Sequence, residues 1–376
     1  MQYRTFKKTG EKISLLGFGA MRFPQKSDGS VDEKESIDMI RAAIQGGVNY
    51  VDTAYMYHGG VSEAIVGKAL KGGYRDKGFL ADKLPLWSAG DEAGQQKIFD
   101  EQLSRLDVDM IDMYLLHSLS GPIWKLAKKF NSLGFLERKK AEGRIKHIGF
   151  SFHDNISIFK EIIDAYPWDF CQIQLNYMDT EWQAGVEGLK YAAEKGIPVI
   201  VMEPLKGGLL TDGLPERVKK ILDEADVKRS LAEWALRWVA NFPEVLTILS
   251  GMSNMAQLEE NIKILSAARP GGMPKEELDL IERVADTYNA LIQYPCTSCG
   301  YCLPCKKKIY IPDMMNYYNE LFVFGQRQKT KASYRGNVPE GRGAKDCIDC
   351  KECEERCPQR LDISGMMKKA SEIFDK

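Results

Sequence analysis

The chain has 376 residues, 44% of them hydrophobic and 28% charged, with a formal net charge of -1. That balance belongs to a globular protein and argues against nucleic acid or an anionic membrane surface as the partner. No apolar run follows "MQYRTFKK" and none later is long enough to cross a bilayer, so the sequence predicts a cytoplasmic protein with no membrane partner.

In chain order, the opening "YRTFKKTGEKIS" places a Thr-Gly turn between two alternating segments and predicts a small hairpin. Eight short apolar runs rich in β-branched residues follow. They are "SLLGFGA" (14–20), "VNYVDTA" (48–54), "FLADK" (79–83), "IDMYLLH" (111–117), "RIKHIGFS" (144–151), "DFCQIQL" (169–175), "IPVIVME" (197–203) and "EVLTILSG" (244–251). Between them lie helical patterns such as "DEKESIDMIRAAIQGG", with acidic residues in the first turn and apolar residues three and four apart. Strands alternating with helices in this way imply parallel βαβ units, and eight of them predict an α/β fold closed as a (β/α)8 TIM barrel, with the hairpin plugging its floor. An open doubly wound sheet is the alternative, but no strand is followed by the G-x-G-x-x-G turn that such a sheet would use to hold a dinucleotide.

Of the nine cysteines only Cys171 precedes residue 296. The chain therefore divides into a barrel, 1–290, and a cysteine-rich tail, 291–376, and in a cytosolic protein such clusters indicate metal ligands rather than disulfides.

Chemistry in such barrels sits at the carboxyl ends of the strands. Those ends carry Asp52 after the second strand, Tyr57 in the next loop, Lys83 on the third and His117 on the fourth. A free tyrosine has a pKa of about 10 and is a poor acid unless its phenolate is stabilised. An adjacent ammonium would do that, and a buried carboxylate would keep the ammonium charged.

"VDTAYMYHGGVSEAIVGKAL", "ADKLP" and "IDMYLLH" resemble the aldo-keto reductases, and the likeness extends over roughly residues 1–290. The resemblance implies NADP- or NAD-dependent interconversion of a small carbonyl substrate and its alcohol. Tyr57 would be the general acid, Lys83 and Asp52 its tuning pair, and His117 the group orienting the carbonyl. It also implies cofactor contacts from Gly19, Ala20, Met21, Asp52, Ser151 and Gln172 around the nicotinamide. Met202, Glu203, Pro204, Leu205 and Gly207 would lie at the pyrophosphate, and Gly251, Ser253, Gln257, Glu260 and Asn261 at the adenosine end. Phe152 and Met202 depart from the family's usual asparagine and aromatic residue. Gly251 and Gln257 stand where NADP-preferring members often carry lysine and arginine, which leaves the choice of nicotinamide open.

In the tail, "CIDCKECEERCP" has the bacterial ferredoxin spacing, in which three cysteines wrap one cluster and the fourth reaches a second. Its companion "CTSCGYCLPC" is one residue shorter at the last step. The metal ligands predicted are Cys296, Cys299, Cys302 and Cys305 with Cys347, Cys350, Cys353 and Cys357. They suffice for two [4Fe-4S] clusters, with one cluster or a zinc site as alternatives. The tail resembles two-cluster ferredoxin-like domains. By the exchange rule Cys305 would join Cys347, Cys350 and Cys353, and Cys357 would join Cys296, Cys299 and Cys302. A helix is expected at "PDMMNYYNELFVF", then a basic loop whose Arg327, Lys329, Lys331 and Arg335 are either a solvated charge run or a docking site for a ferredoxin-type electron carrier. Three functions fit: a reductase with structural clusters, a redox coupler, and a nicotinamide-binding sensor without turnover.

Overall fold

The computed structural model describes residues 1–211, 214–296, 302–357 and 360–375. Two compact units form, neither contiguous in sequence: Met1–Thr211 with Arg229–Leu278, and Asp212–Lys228 with Asp279–Lys376.

In the first unit, β1 (Tyr3–Thr5) and β2 (Lys12–Ser14) pair antiparallel as the expected hairpin. Gly10, at φ 77°, takes the left-handed turn position that costs glycine least. Eight parallel strands follow: β3 (Leu16–Gly19), β4 (Tyr50–Asp52), β5 (Phe79–Leu84), β6 (Ile111–Leu119), β7 (Ile145–Phe152), β8 (Phe170–Gln174), β9 (Val199–Met202) and β10 (Val245–Ser250). They close in the order β10-β3-β4-β5-β6-β7-β8-β9, which is the barrel the sequence predicts. β6 runs past the expected end at His117 to Leu119.

The hairpin fills the floor. Phe6 and Ile13 are wholly buried in one cluster with Tyr50, Met113, Leu115, Phe170 and Ile200. Each such side chain removed from water contributes about 1.5–3 kcal/mol. Arg4 fastens the hairpin by donating to the carbonyls of Ala240 at 2.5 Å and Phe242 at 2.6 Å.

Polar residues cap several of the helices that follow them. Asp32 accepts from Glu35 N at 3.1 Å at the start of Glu33–Gln45, and Asp91 accepts from Gly94 N at 2.8 Å at the start of Glu92–Leu106. The helix Ser62–Ala69, which follows the Tyr57 loop, lies close against the end of Glu92–Leu106. A Cβ on Gly67 would stand 2.3 Å from the Leu106 carbonyl oxygen, so only glycine permits this approach.

Among its described residues the second unit is helical, built on Ile311–Val323, Arg327–Asn337 and Ile363–Phe374. Its core gathers Ile309, Met314, Met315, Tyr318, Met366, Met367 and Phe374. Residues 327–337 are a helix and not the basic loop expected. Thr330 and Tyr334, four apart, turn inward, and Tyr334 stacks on Phe374 at 4.5 Å and 11°.

Candidate active site

The loop after β4 brings the tyrosine to the rim. His58, Gly59 and Gly60 all have positive φ (53°, 66° and 93°), which turns the chain sharply just beyond Tyr57. His58 fixes the turn: its Nε2 accepts from Phe23 N at 3.2 Å and its ring stacks on Phe23 at 5.2 Å. Thr53 and Ser62 hydroxyls meet at 2.9 Å, and Ser62 also donates to Ala20 O at 3.2 Å, tying both ends of the loop to the β3 exit. His58, Thr53 and Ser62 escaped the sequence reading. The Gly59-Gly60 pair ahead of a helical pattern is the sequence signal that marks such a turn.

Lys83 is the hub. Its Nζ donates to Asp52 Oδ2 at 2.7 Å, to Thr53 O at 2.6 Å and to the Tyr57 hydroxyl oxygen at 3.3 Å. An ammonium has three protons, and three acceptors take them. The phenol accepts here, so its own proton remains available to another acceptor. The His117 ring lies 6.4 Å from that of Tyr57 at 81°, and the Trp87 ring lies 5.2 Å from His117. The four rim residues predicted from sequence thus stand together, with Trp87 beside them.

Burial is the largest single influence on the protonation of all four groups. At Lys83 it favours the neutral amine, but Asp52, Tyr57 and Asp82 together outweigh it and the ammonium is held more tightly than usual. Burial raises the Asp52 carboxyl, with Lys83 opposing. Burial also raises the Tyr57 phenol, again against Lys83. The expected tuning is therefore present but smaller than desolvation, and the phenol is a protonated donor at neutral pH. Burial, then the charge on Lys83, depress His117 to about 3, so the ring is neutral. Its Nδ1 is buried with no partner among the described residues.

A pH consequence follows for His117. Its folded pKa lies below 6.5, so between 6.5 and about 3 the unfolded chain holds a proton that the folded chain lacks. The stability this ring contributes is complete above pH 6.5 and is lost as pH falls towards 3. Ring NMR is expected to show no His117 titration near 6.5, and a titration there would contradict the buried neutral ring.

An aldo/keto reductase family model matches residues 15–285, the barrel and its rim residues included. The chain belongs to the aldo/keto reductase family. It is 28% identical over 306 residues to the L-galactose dehydrogenase of Arabidopsis thaliana, covering 76% of this chain and 95% of that one. It is 31% identical over 301 residues to the aldo-keto reductase YhdN of Bacillus subtilis, covering 69% and 87%. Among solved structures, the holo form of aldo-keto reductase AKR11C1 from Bacillus halodurans matches with a TM-score of 0.63 at 27% identity, covering 76% and 96%. A 4Fe-4S dicluster domain model matches residues 295–361 of this reductase.

The remaining rim residues differ in how much bonding capacity they retain. Gln172 is buried, donates to Met202 Sδ at 3.4 Å and leaves its Oε1 without a partner among the described residues. Ser151 Oγ accepts from Ser118 N at 2.7 Å and retains its proton to donate. Gly19 lies so near β10 that a Cβ would sit 3.3 Å from Ser250 O. After β9, Glu203, Lys206, Gly207 and Gly208 all have positive φ, and Lys206 is turned back onto Asp179, which also accepts from Gln174 at 2.6 Å. At the end of β10, Asn261 donates to Ser250 Oγ at 3.0 Å and Gln257 accepts from Ser253 N at 2.8 Å, so both close the loop on itself. Ala20 is buried, whereas Met21 and Glu260 are exposed.

In the second unit, Cys302, Cys305, Cys347, Cys350 and Cys353 line one small cavity. Among the described residues no three His, Cys, Asp or Glu side chains close to single-ion separation. A set of thiolates around one cavity is the donor chemistry that iron-sulfur clusters take. Cys296 and Cys357 pack at the edge of the same core, and Cys299 lies outside the described residues.

Proposed function

We propose that this aldo/keto reductase interconverts a small carbonyl compound and its alcohol, with Tyr57 giving or taking the proton and NADP or NAD as cofactor. The observation that carries this is the Lys83 ammonium, its three protons committed to Asp52, Thr53 and Tyr57 in a buried corner of the rim. The plant relative's name, L-galactose dehydrogenase, supports carbonyl and alcohol chemistry at this rim.

The unspent groups suit a nicotinamide. Gln172 Oε1 has an acceptor to spare and Ser151 a donor, which a carboxamide would satisfy. Gly19, Ala20 and Met21 would flank the ring, and the glycine-containing turn after Met202 would take the phosphates through its backbone. When bound, the cofactor supplies or receives the hydride at its nicotinamide ring. The chain does the rest. Lys83 fixes the phenol oxygen, Tyr57 holds the transferable proton, and neutral His117 steers the carbonyl oxygen without adding a second positive charge beside Lys83.

For the tail we infer two [4Fe-4S] clusters, with Cys305 joining Cys347, Cys350 and Cys353, and Cys357 joining Cys296, Cys299 and Cys302. Cys305 lines one cavity with Cys347, Cys350 and Cys353, and Cys302 reaches the same cavity from the other set. The cysteines pack against the core of the small unit, so the clusters act as its staples. Chelating the iron under reductant is expected to raise amide exchange in Ile311–Val323 and Ile363–Phe374 while β5 and β6 stay protected. Unchanged exchange in both helices would contradict a structural role. A panel of small aldehydes and ketones assayed with each nicotinamide tests the activity, and failure to oxidise either cofactor with any of them would count against it.

A further inference from the structure

One buried group behind the rim has no part in the chemistry above. Asp82 precedes Lys83 on β5, and because strand residues alternate, its side chain points away from the barrel interior into the helical layer. It is fully buried, as is Glu63 on the helix that follows the Tyr57 loop. Asp82 Oδ1 accepts from Lys83 N at 2.8 Å, and Glu63 Oε2 accepts from Arg105 at 2.8 Å. Their other oxygens, Asp82 Oδ2 and Glu63 Oε1, have no partner among the described residues, and Glu63 acts on the Asp82 carboxyl both as a like charge and as a hydrogen-bonding neighbour.

Charge bookkeeping on the surrounding elements is unfavourable for two carboxylates. Arg105 is the cation of the cluster, and it is shared with Glu101 at 3.5 Å and with the Tyr55 carbonyl at 3.4 Å. From β6, Tyr114 donates to Gln102, leaving Asp82 nothing. Asp100 adds a further negative charge on the helix that carries Arg105. Lys83 lies on the far side of the strand and its protons are spent on Asp52, Thr53 and Tyr57. Two like charges in a dry site cannot both ionise. Burial first, then Glu63, hold the Asp82 carboxyl well above the ordinary carboxylate range.

We propose that Asp82 is a neutral acid whose proton is donated to Glu63, and that this bond clamps the strand bearing Lys83 to the helix that follows the Tyr57 loop. Asp82 is then a positioning residue: one oxygen holds the Lys83 backbone and the other, through its proton, holds Glu63. Arg105 extends the clamp to the loop itself through the Tyr55 carbonyl and, at 4.4 Å, the Tyr55 ring. The proposal rests on the role given above to Lys83 and Tyr57, but the infrared arm of its test does not.

The test uses the full-length holoprotein, purified anaerobically. The infrared spectrum in D2O is expected to show the carbonyl stretch of a protonated carboxylic acid at neutral pH, and Asp82→Asn is expected to remove it. The amide of Asp82→Asn keeps one acceptor for Lys83 N and one donor for Glu63, so its kcat is expected within about threefold of wild type. Asp82→Ala keeps neither, and misplacing Lys83 is expected to lower its kcat roughly 10- to 100-fold while the cofactor dissociation constant moves less than about twofold. An acid band that survives Asp82→Asn, or an Asp82→Ala variant turning over like wild type, would overturn the proposal. Should Asp82→Ala not accumulate, the infrared comparison with Asp82→Asn decides alone. Should Tyr57→Phe prove fully active, the rim chemistry falls while the infrared result still stands.

Discussion

Tyr57→Phe is expected to lower kcat by roughly 10²- to 10⁴-fold, the contribution of one positioned proton donor. The ring and its packing are conserved in this variant. Lys83 loses one acceptor and keeps two, Asp52 and the Thr53 carbonyl, so a stability change of no more than about 1 kcal/mol is expected. Cofactor affinity should be close to wild type, because the hydroxyl is not among the groups assigned to hold the dinucleotide. Steady-state kinetics with the best carbonyl substrate and a fluorescence titration with the nicotinamide separate the two quantities. A variant that turns over normally would show that the proton comes from elsewhere.

Lys83→Met is expected to damage both turnover and folding. Lys83 and Asp52 are buried side by side, and Met matches the length of the lysine stem without its charge. Removing one member of such a pair leaves the other uncompensated, at a cost of about 3–5 kcal/mol. Asp52 Oδ1 already lacks a partner among the described residues, and the variant would strip Oδ2 as well. Lys83 is also the group that opposes burial at Tyr57, so the phenol should titrate still higher in the variant. Urea unfolding and an ultraviolet phenolate titration read these two effects. Double replacement of Lys83 by Met and Asp52 by Leu should recover part of the stability and none of the turnover. Equal loss of stability in the single and double variants would contradict a buried ion pair.

The barrel was legible in the sequence because each strand is a short apolar run between polar caps, and the period changes cleanly at its ends. Tyr57, Lys83, Asp52 and His117 were legible because strand ends sit at one rim whatever the loops do. Other features required coordinates. Helix Arg327–Asn337 reads as a basic loop because only Thr330 and Tyr334 turn inward, and two residues do not make a period. The second unit's use of the insert after β9 depends on packing between distant segments, which no local pattern reports. The protonation of Tyr57 depends on how completely the rim is desolvated, and residue identity alone predicted only the opposing influence of Lys83. The partnership of Asp82 with Glu63 was hidden for the same reason, since each carboxylate singly reads as a solvated charge.

A single turnover with a reduced nicotinamide cofactor carrying deuterium at both C4 positions tests the central claim most directly. Incubated with a carbonyl substrate, the wild-type enzyme is predicted to place the deuterium on the carbinol carbon, and Tyr57→Phe to do so at a rate lower by the factor given above. Deuterium absent from the carbinol carbon, or label delivered equally fast without the phenol, would contradict it.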